Sequence, residues 1–114
     1  MMISHKDKIE GQRYEGNGAK GVLRKVLIGA TEGWSDYVMR LFEVEVGGHS
    51  PKHSHPWPHI VYVLSGAGNL YFDGQNQELK GGSFVYVAEN KEHQFINKGS
   101  EKLSFICIVP PEGN

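Results

Sequence analysis

The chain has 114 residues, which is enough for one compact domain and too few for two. Its formal net charge is -1, so it lacks the basic excess with which proteins usually bind nucleic acid or anionic membranes. The single cysteine excludes an intramolecular disulfide, and the N-terminal residues contain no apolar stretch typical of a secretion signal. We therefore expect a soluble, cytoplasmic protein with no nucleic-acid partner and no membrane partner.

The chain divides into two regions of different composition. Residues 1–20 are polar and contain several glycines, which predicts a loosely held N-terminal arm before one domain over residues 21–114. In that domain, segments rich in β-branched and aromatic residues alternate with short segments of Gly and polar residues, which is typical of strands joined by turns. The predicted strands are 22–28, 37–46, 60–64, 70–72, 84–87, 93–96 and 103–109. Asp73-Gly74 predicts a two-residue hairpin turn, and no window has helical spacing, so we expect an all-β sandwich or barrel.

The segment 37–46 can be oriented from its own alternation. Its even positions are mostly apolar, whereas Glu43 and Glu45 occupy odd positions, so the even face should point inward. Arg40 shares that inward face. Two interpretations of Arg40 stay open: it pairs with a carboxylate near the mouth of the barrel, or it lines a ligand cavity.

Histidines are concentrated in one half of the chain, with five of the six between residues 49 and 93. Prolines interrupt the first group and exclude a helix, so His53 and His55 project from the same face of an extended segment. His59 opens one predicted strand, and His93 begins another. Each histidine alone is typical of a solvated or hydrogen-bonded residue, but four imidazoles on neighbouring strands would suit a divalent transition metal.

The spacing of these histidines resembles the two sequence motifs of the cupin superfamily. The first motif is Gly, five residues, His, one, His, three or four, Glu, six, Gly; it is matched here by Gly47, His53, His55, His59 and Gly66, with His59 in place of Glu. The second is Gly, five residues, Pro, one, Gly, two, His, three, Asn; it is matched by Gly82, His93 and Asn97, with Ala88 at the Pro position and Asn90 at the second Gly position. Asn tolerates left-handed backbone geometry almost as Gly does, so that departure is mild.

The resemblance implies a double-stranded β-helix, or jelly-roll, cupin barrel of the small single-domain bacterial kind with a four-histidine metal site. It implies one divalent transition metal per chain, held by His53, His55, His59 and His93, with manganese expected first and Fe, Ni, Cu or Zn as alternatives. Four neutral imidazoles would leave the ion its full charge and enhance its Lewis acidity. The absent Glu argues against a proton shuttle through a metal-bound carboxylate. His49 lies off the motif spacing and is not assigned as a ligand.

Two residues outside the histidine set, Arg40 and Cys107, are the candidate catalytic residues. No Lys/Arg cluster adjoins the histidines, so Arg40 is the only anion partner that we identify. We therefore expect a small, largely apolar or mono-anionic molecule as ligand or substrate, and not a sugar phosphate. Cys107 lies in a segment that is apolar on both faces, so it is either an inert buried thiol or an inner-wall thiol near the metal. The candidate lining residues Phe42, Trp57, Phe95 and Phe105 indicate an apolar cavity.

Two functions from different classes fit this pattern. The leading hypothesis is a metal-dependent enzyme, most plausibly a dioxygenase-type oxidoreductase, with a lyase or isomerase within the same interpretation. The alternative is a non-catalytic small-molecule or metal-binding module or sensor, because a shared fold does not imply a shared reaction. Several strands are apolar on both faces, which predicts a homodimer that covers the outside of the barrel.

Overall fold

The computed structural model describes residues 1–114 and consists of β-strands joined by short turns. The nine strands are β1 (Gln12–Gly16), β2 (Ala19–Ile28), β3 (Val38–His49), β4 (His59–Ser65), β5 (Ala67–Phe72), β6 (Gln75–Lys80), β7 (Phe84–Val87), β8 (His93–Ile96) and β9 (Leu103–Val109). Single 3-10 turns occupy Lys6–Lys8, Ala30–Glu32 and Pro111–Gly113. None of these helical turns has the length or apolar character needed to cross a membrane.

The strands form one curled antiparallel sheet. Its hydrogen-bonded order is β6-β5-β8-β3-β9-β4-β7, and β2 adds to β3 and β1 to β2. The inward-facing side chains of these strands make a single core, which includes Val44, Val61, Val63, Leu103 and Phe105. The all-β architecture predicted from strand spacing and the jelly-roll barrel implied by the resemblance are thereby confirmed.

The predicted strands are all present, and the structure extends several of them. The hairpin at Asp73-Gly74 is confirmed, because Phe72 pairs with Gln75 and both turn residues have positive φ, 48° and 75°. Within the segment predicted as an arm, residues 12–16 form β1 and pair with β2. The arm therefore contributes a strand to the sheet, and the division of the chain at residue 20 stays a prediction.

Strand β3 carries the predicted inward face over most of its length. Arg40 and Val44 are buried, as their even positions require. Leu41 is also buried although it faces outward, because the N-terminal segment crosses this side of the sheet, where Lys6 Nζ lies 3.8 Å from Glu43 Oε2. The N-terminal residues therefore approach part of the outer surface of β3.

The alternation fails at the end of β3. Val46 was expected to point inward, but it is 57% exposed. The pairing of β2 with β3 shifts its register between Lys20 and Val22, which face His49 and Val44 respectively. Extra residues on β3 are therefore accommodated in a bulge, and a bulge breaks the period of two on which the expectation was based.

Two residues of the predicted motifs stabilise the backbone of the barrel. Asn97 is buried; its Nδ2 donates to the backbone oxygens of Val44 and Glu101, and its Oδ1 accepts from the Gly99 N–H, each at 2.9 Å. Gly66 has a φ of 86°, and a Cβ there would collide with the backbone at Lys102. Both positions serve backbone geometry, and neither residue lines the cavity described below.

Candidate metal centre

Backbone pairing between two distant segments builds the centre. His53, in the connection between β3 and β4, forms an antiparallel bridge with His93 at the start of β8. The N–H of each residue donates to the carbonyl of the other, at 3.1 and 2.9 Å. Their rings therefore lie side by side, with centroids 5.1 Å apart, and the His55 ring lies 5.1 Å from His53 and 4.9 Å from His93.

Three of the four predicted ligands form a cluster of metal-binding size. One ring nitrogen from each of His53, His55 and His93 lies within 4.8 Å of the others. Bonds from an imidazole nitrogen to zinc are about 2.1 Å, so nitrogens around one ion stand about 3–4 Å apart. His59 adjoins this set through His55, because their Nε2 atoms are 2.6 Å apart. The four imidazoles thus occupy one place, with three in the cluster and the fourth beside it.

The second ring nitrogens of these histidines have partners that orient the rings. His55 Nδ1 lies 2.9 Å from the Trp57 carbonyl, and His93 Nδ1 lies 2.8 Å from the Lys91 carbonyl. A carbonyl oxygen only accepts hydrogen bonds, so in each neutral ring the proton belongs on Nδ1. The Nε2 lone pair of His93 is then available to bind an ion, whereas His55 Nε2 contacts His59 Nε2 at 2.6 Å, a contact that an ion bound by both rings would replace.

Burial and mutual proximity disfavour protonation of the imidazoles. Burial, followed by the neighbouring His93 and His55, lowers the pKa of His53 from 6.5 to about 4. Burial, followed by His55 and Arg40, lowers the pKa of His59 from 6.5 to about 3. Burial also lowers the pKa of His93. These rings are neutral at pH 7, which is the state that a metal ligand requires.

Arg40 lies in the inner wall, with 5% of its surface exposed. Its Nη2 donates to Cys107 Sγ at 3.2 Å, its Nη1 donates to the Gly113 carbonyl at 3.4 Å, and its guanidinium carbon lies 5.0 Å from the centre of the Phe42 ring. None of the ion pairs in the protein involves Arg40. Of the two interpretations left open by the sequence, the structure places Arg40 at a cavity and not against a carboxylate.

Cys107 lies between Arg40 and the histidines. Its register opposite Arg40 on β3 and Val61 on β4 turns the side chain inward, where it is 1% exposed. The sulfur is 2.9 Å from His59 Nδ1. Burial raises the pKa of the Cys107 thiol, and the nearby Arg40 opposes that rise. The thiol is therefore both buried and next to a candidate ligand.

The histidines open into a cavity of about 210 Å³. Its apolar wall contains the four aromatic residues expected from the sequence, Phe42, Trp57, Phe95 and Phe105, together with Val22, Pro51 and Tyr14. The rings of Phe95 and Phe105 stack with centroids 4.6 Å apart. No Asp or Glu lines the cavity.

A second arginine, Arg24, also lines the cavity, so Arg40 is not the only cationic side chain there. Arg24 lies on β2 directly opposite Phe42, and Arg40 lies opposite Val26, so both arginines project from the same face of neighbouring strands. Sequence reasoning missed it because the segment 22–28 has apolar residues at both odd and even positions. The one available signal was the strand pairing itself, which places residues 24 and 40 diagonally across two strands.

The remaining motif positions behave as their sequence suggests. His49 lies outside the cavity; its Nδ1 lies 3.2 Å from the Ser50 carbonyl. Asn90, at the Gly position of the second motif, has a φ of 62°, in the left-handed region that Asn tolerates. Its N–H donates to the His55 carbonyl at 2.8 Å, so this turn supports the loop that carries a candidate ligand.

Comparison with known proteins gives the same architecture. The polyketide cyclase RemF from Streptomyces resistomycificus superposes with a TM-score of 0.89 over 96% of this chain and 79% of that chain, at 27% sequence identity. "Polyketide synthase CurC" from Streptomyces cyaneus is 28% identical over 91% of this chain and 66% of its own length. The 1-methylthio-D-xylulose 5-phosphate methylsulfurylase of Rhodospirillum rubrum is 32% identical over 65% of this chain and 47% of its own length.

The chain therefore spans about half to two thirds of the curated relatives that it matches. The cupin domain family matches residues 40–109, which is more than half of the chain and includes all four histidines of the centre. The barrel, the two motifs and this match agree: the chain belongs to the cupin family.

Proposed function

We propose that the protein is a metal-dependent enzyme that acts on a small, largely apolar, mono-anionic molecule at a four-histidine centre. His53, His55, His59 and His93 would hold one divalent transition ion, with manganese expected first. The observation that carries the proposal is the meeting of the imidazoles: one ring nitrogen from each of His53, His55 and His93 lies within 4.8 Å of the others. The Nδ1 atoms of His55 and His93 face backbone carbonyls, which orients both rings.

The residues around the histidines have distinct tasks in this proposal. A bound divalent ion supplies Lewis acidity, and it supplies electron transfer as well if the metal is redox-active. The aromatic wall excludes water from the substrate, and Arg40 holds an anionic oxygen of the substrate by hydrogen bonding from its guanidinium. Cys107 keeps the His59 ring in place through the contact between Sγ and Nδ1. Arg40 would touch substrate, and Cys107 would act through His59.

Two reaction classes fit such a site. Oxidation of the dioxygenase type is the class expected from the sequence. A non-redox ring closure is the second candidate. It is favoured by the likeness to RemF, a polyketide cyclase that superposes on 96% of this chain. Both reactions use the same ion, cavity and arginine, and they differ in whether molecular oxygen is consumed.

Metal content tests the ligand set. We expect about one divalent ion per chain in protein purified without added metal, and lower occupancy in His55→Ala and His93→Ala with the fold retained by circular dichroism. His49→Ala is the matched control, because His49 lies outside the cavity. Full occupancy in both His55→Ala and His93→Ala would overturn the assignment.

Turnover tests the reaction class. The metal-loaded protein should be incubated with a panel of small aromatic and conjugated carboxylates while oxygen is followed by electrode and products by mass spectrometry. Oxygen uptake with product supports oxidation, and product of unchanged elemental composition, or differing only by water, supports ring closure. Bound metal with tight ligand binding and no product would instead indicate the non-catalytic module or sensor.

A further inference from the structure

The protein buries three side-chain nitrogens that have no hydrogen-bond partner: Nε of Arg24, Nε of Arg40 and Nε1 of Trp57. All three residues line the same cavity as the histidines. Each nitrogen is a donor, since guanidinium and indole N–H groups cannot accept. A buried donor without a partner destabilises the fold, and folded proteins rarely keep such groups. Three of them around one cavity indicate that something else supplies the acceptors.

The other contacts of the two arginines leave their charge largely uncompensated. Arg24 reaches only neutral oxygens, of Asn114 and Gln12, each at 3.4 Å, and Arg40 reaches the Gly113 carbonyl at 3.4 Å and the Cys107 sulfur. These distances are at the long end for hydrogen bonds. Neither arginine belongs to any ion pair, and no acidic residue lines the cavity.

The position of the two guanidinium groups suits one shared anion. Arg24 and Arg40 project from the same face of β2 and β3 in diagonal register, which places their Cα atoms about 7 Å apart. Each guanidinium also lies over an aromatic ring, with its central carbon 5.7 Å from the Tyr14 ring centre for Arg24 and 5.0 Å from the Phe42 ring centre for Arg40. The aromatic contacts hold the side chains in place without neutralising them.

We propose that Arg24, Arg40 and Trp57 form a subsite for the carboxylate of the substrate, whose planar apolar body lies against Phe42, Phe95 and Phe105. A carboxylate has two acceptor oxygens and several lone pairs, so it can accept hydrogen bonds from several donors that line one cavity. The stacked phenyl rings offer an apolar surface that a fully hydrated anion would not use. The substrate class is therefore a small aromatic or conjugated monocarboxylate.

This inference deepens the proposed function because the subsite and the metal centre share one cavity, but it can be measured without the metal. Benzoate is the probe, benzyl alcohol is its uncharged counterpart, and inorganic phosphate represents an anion without an apolar body. The readout is the indole N–H signal of Trp57 in a ¹⁵N-correlated NMR spectrum, with the Trp34 indole, which lies outside the cavity, as internal reference. Titrations are run on zinc-loaded protein and on protein treated with chelator.

We expect benzoate to move the Trp57 indole signal downfield in a saturable way in both forms, while benzyl alcohol and phosphate bind at least about 10-fold more weakly. Arg24→Gln and Arg40→Gln should each weaken benzoate binding by about 10-fold or more. Arg13→Gln is the matched control, because Arg13 pairs with Glu45 on the surface and should leave the affinity unchanged. If Arg40→Gln does not fold, the benzoate affinities of Arg40→Lys and Arg24→Gln are compared with that of the wild type instead.

Several results would overturn the subsite. Equal binding of benzoate and benzyl alcohol would remove the role of charge, and tighter binding of phosphate would change the substrate class. Binding that vanishes with chelator and ignores Arg24→Gln would place the carboxylate on the metal alone. If benzoate binds in an arginine-dependent way to protein that takes up no metal, the subsite stands and the proposed metal enzyme fails.

Discussion

Acidification of the metal-free protein should destabilise it through His59. The pKa of His59 is lowered from 6.5 to about 3 in the folded chain, chiefly by burial. Between these two values the unfolded chain binds a proton at this residue and the folded chain does not. Lowering the pH therefore favours unfolding, and the stability that this neutral ring contributes is fully present above about pH 6.5 and is lost as the pH falls toward about 3.

The size of the effect follows from the proton difference. One proton taken up on unfolding changes the free energy of unfolding by about 1.4 kcal/mol per pH unit. From about pH 6 to about pH 4.5, His59 alone should remove about 2 kcal/mol. His59 is 9% exposed, so solvent screening reduces this figure little. A loss of this size is a large fraction of the stability of a small domain.

Urea unfolding with chelator present, followed by circular dichroism across this pH range, measures the loss. His59→Gln removes the titrating ring, so the free energy of unfolding of the variant should fall less steeply with acid by about 1.4 kcal/mol per pH unit. Carboxylates titrate equally in both proteins and cancel in the difference. Parallel pH profiles for the wild type and His59→Gln would refute the reasoning, since His59 would then not be held neutral by its surroundings.

Further predictions concern the groups around the centre and the surface. Cys107→Ala should weaken zinc affinity by about 10- to 100-fold because His59 loses its Nδ1 contact, and Cys107→Ser should restore most of that affinity. A competition titration measures the affinities. Equal zinc affinity of Cys107→Ala and the wild type would speak against a positioning role. Asn97→Ala should lower the free energy of unfolding by about 3 kcal/mol in urea, because three backbone groups lose their partner, and a change below about 1 kcal/mol would contradict this. Light scattering should give twice the chain mass of 12.7 kDa. Phe84 is 82% exposed on the apolar outer face, so Phe84→Asp should give monomers with unchanged metal content. A monomeric wild type would exclude the dimer.

The apolar outer face that motivates the dimer is formed by two neighbouring strands. Ile60, Tyr62 and Leu64 point outward from β4, and Phe84 and Tyr86 point outward from β7. Ile60 lies opposite Tyr86, and Tyr62 lies opposite Phe84, so their side chains form one continuous patch. The sequence predicts such a patch from strands that are apolar on both faces, and a second copy of the chain is the occupant that we expect.

The sequence predicts the architecture well because strand patterns and turn residues are local properties. The hairpin at Asp73-Gly74 and the left-handed Asn90 depend only on the residues at those positions. The even face of β3 also follows from its own alternation as far as Val44. The exposed Val46 does not, because the bulge against β2 is a property of the pairing between two strands.

The candidate site could be predicted where motif spacing or strand alternation carried the information. The histidines have that spacing, whereas Arg24 and Cys107 lie in segments whose alternation does not choose a face. Cys107 is turned inward by its register opposite Arg40, and Arg24 is turned inward by its register opposite Phe42. Such cross-strand registers depend on distant parts of the chain, so no local sequence pattern predicts that Arg24 and Cys107 face the cavity.

The bridge between His53 and His93 has a consequence for the order of events in folding. It joins the connection before β4 to the start of β8, two segments that are far apart in the sequence. Contacts between such distant segments tend to form late, after the cost of closing the intervening loop has been met. An ion bound there would hold the two segments together once the barrel has formed. It would therefore slow unfolding and leave the rate of folding nearly unchanged.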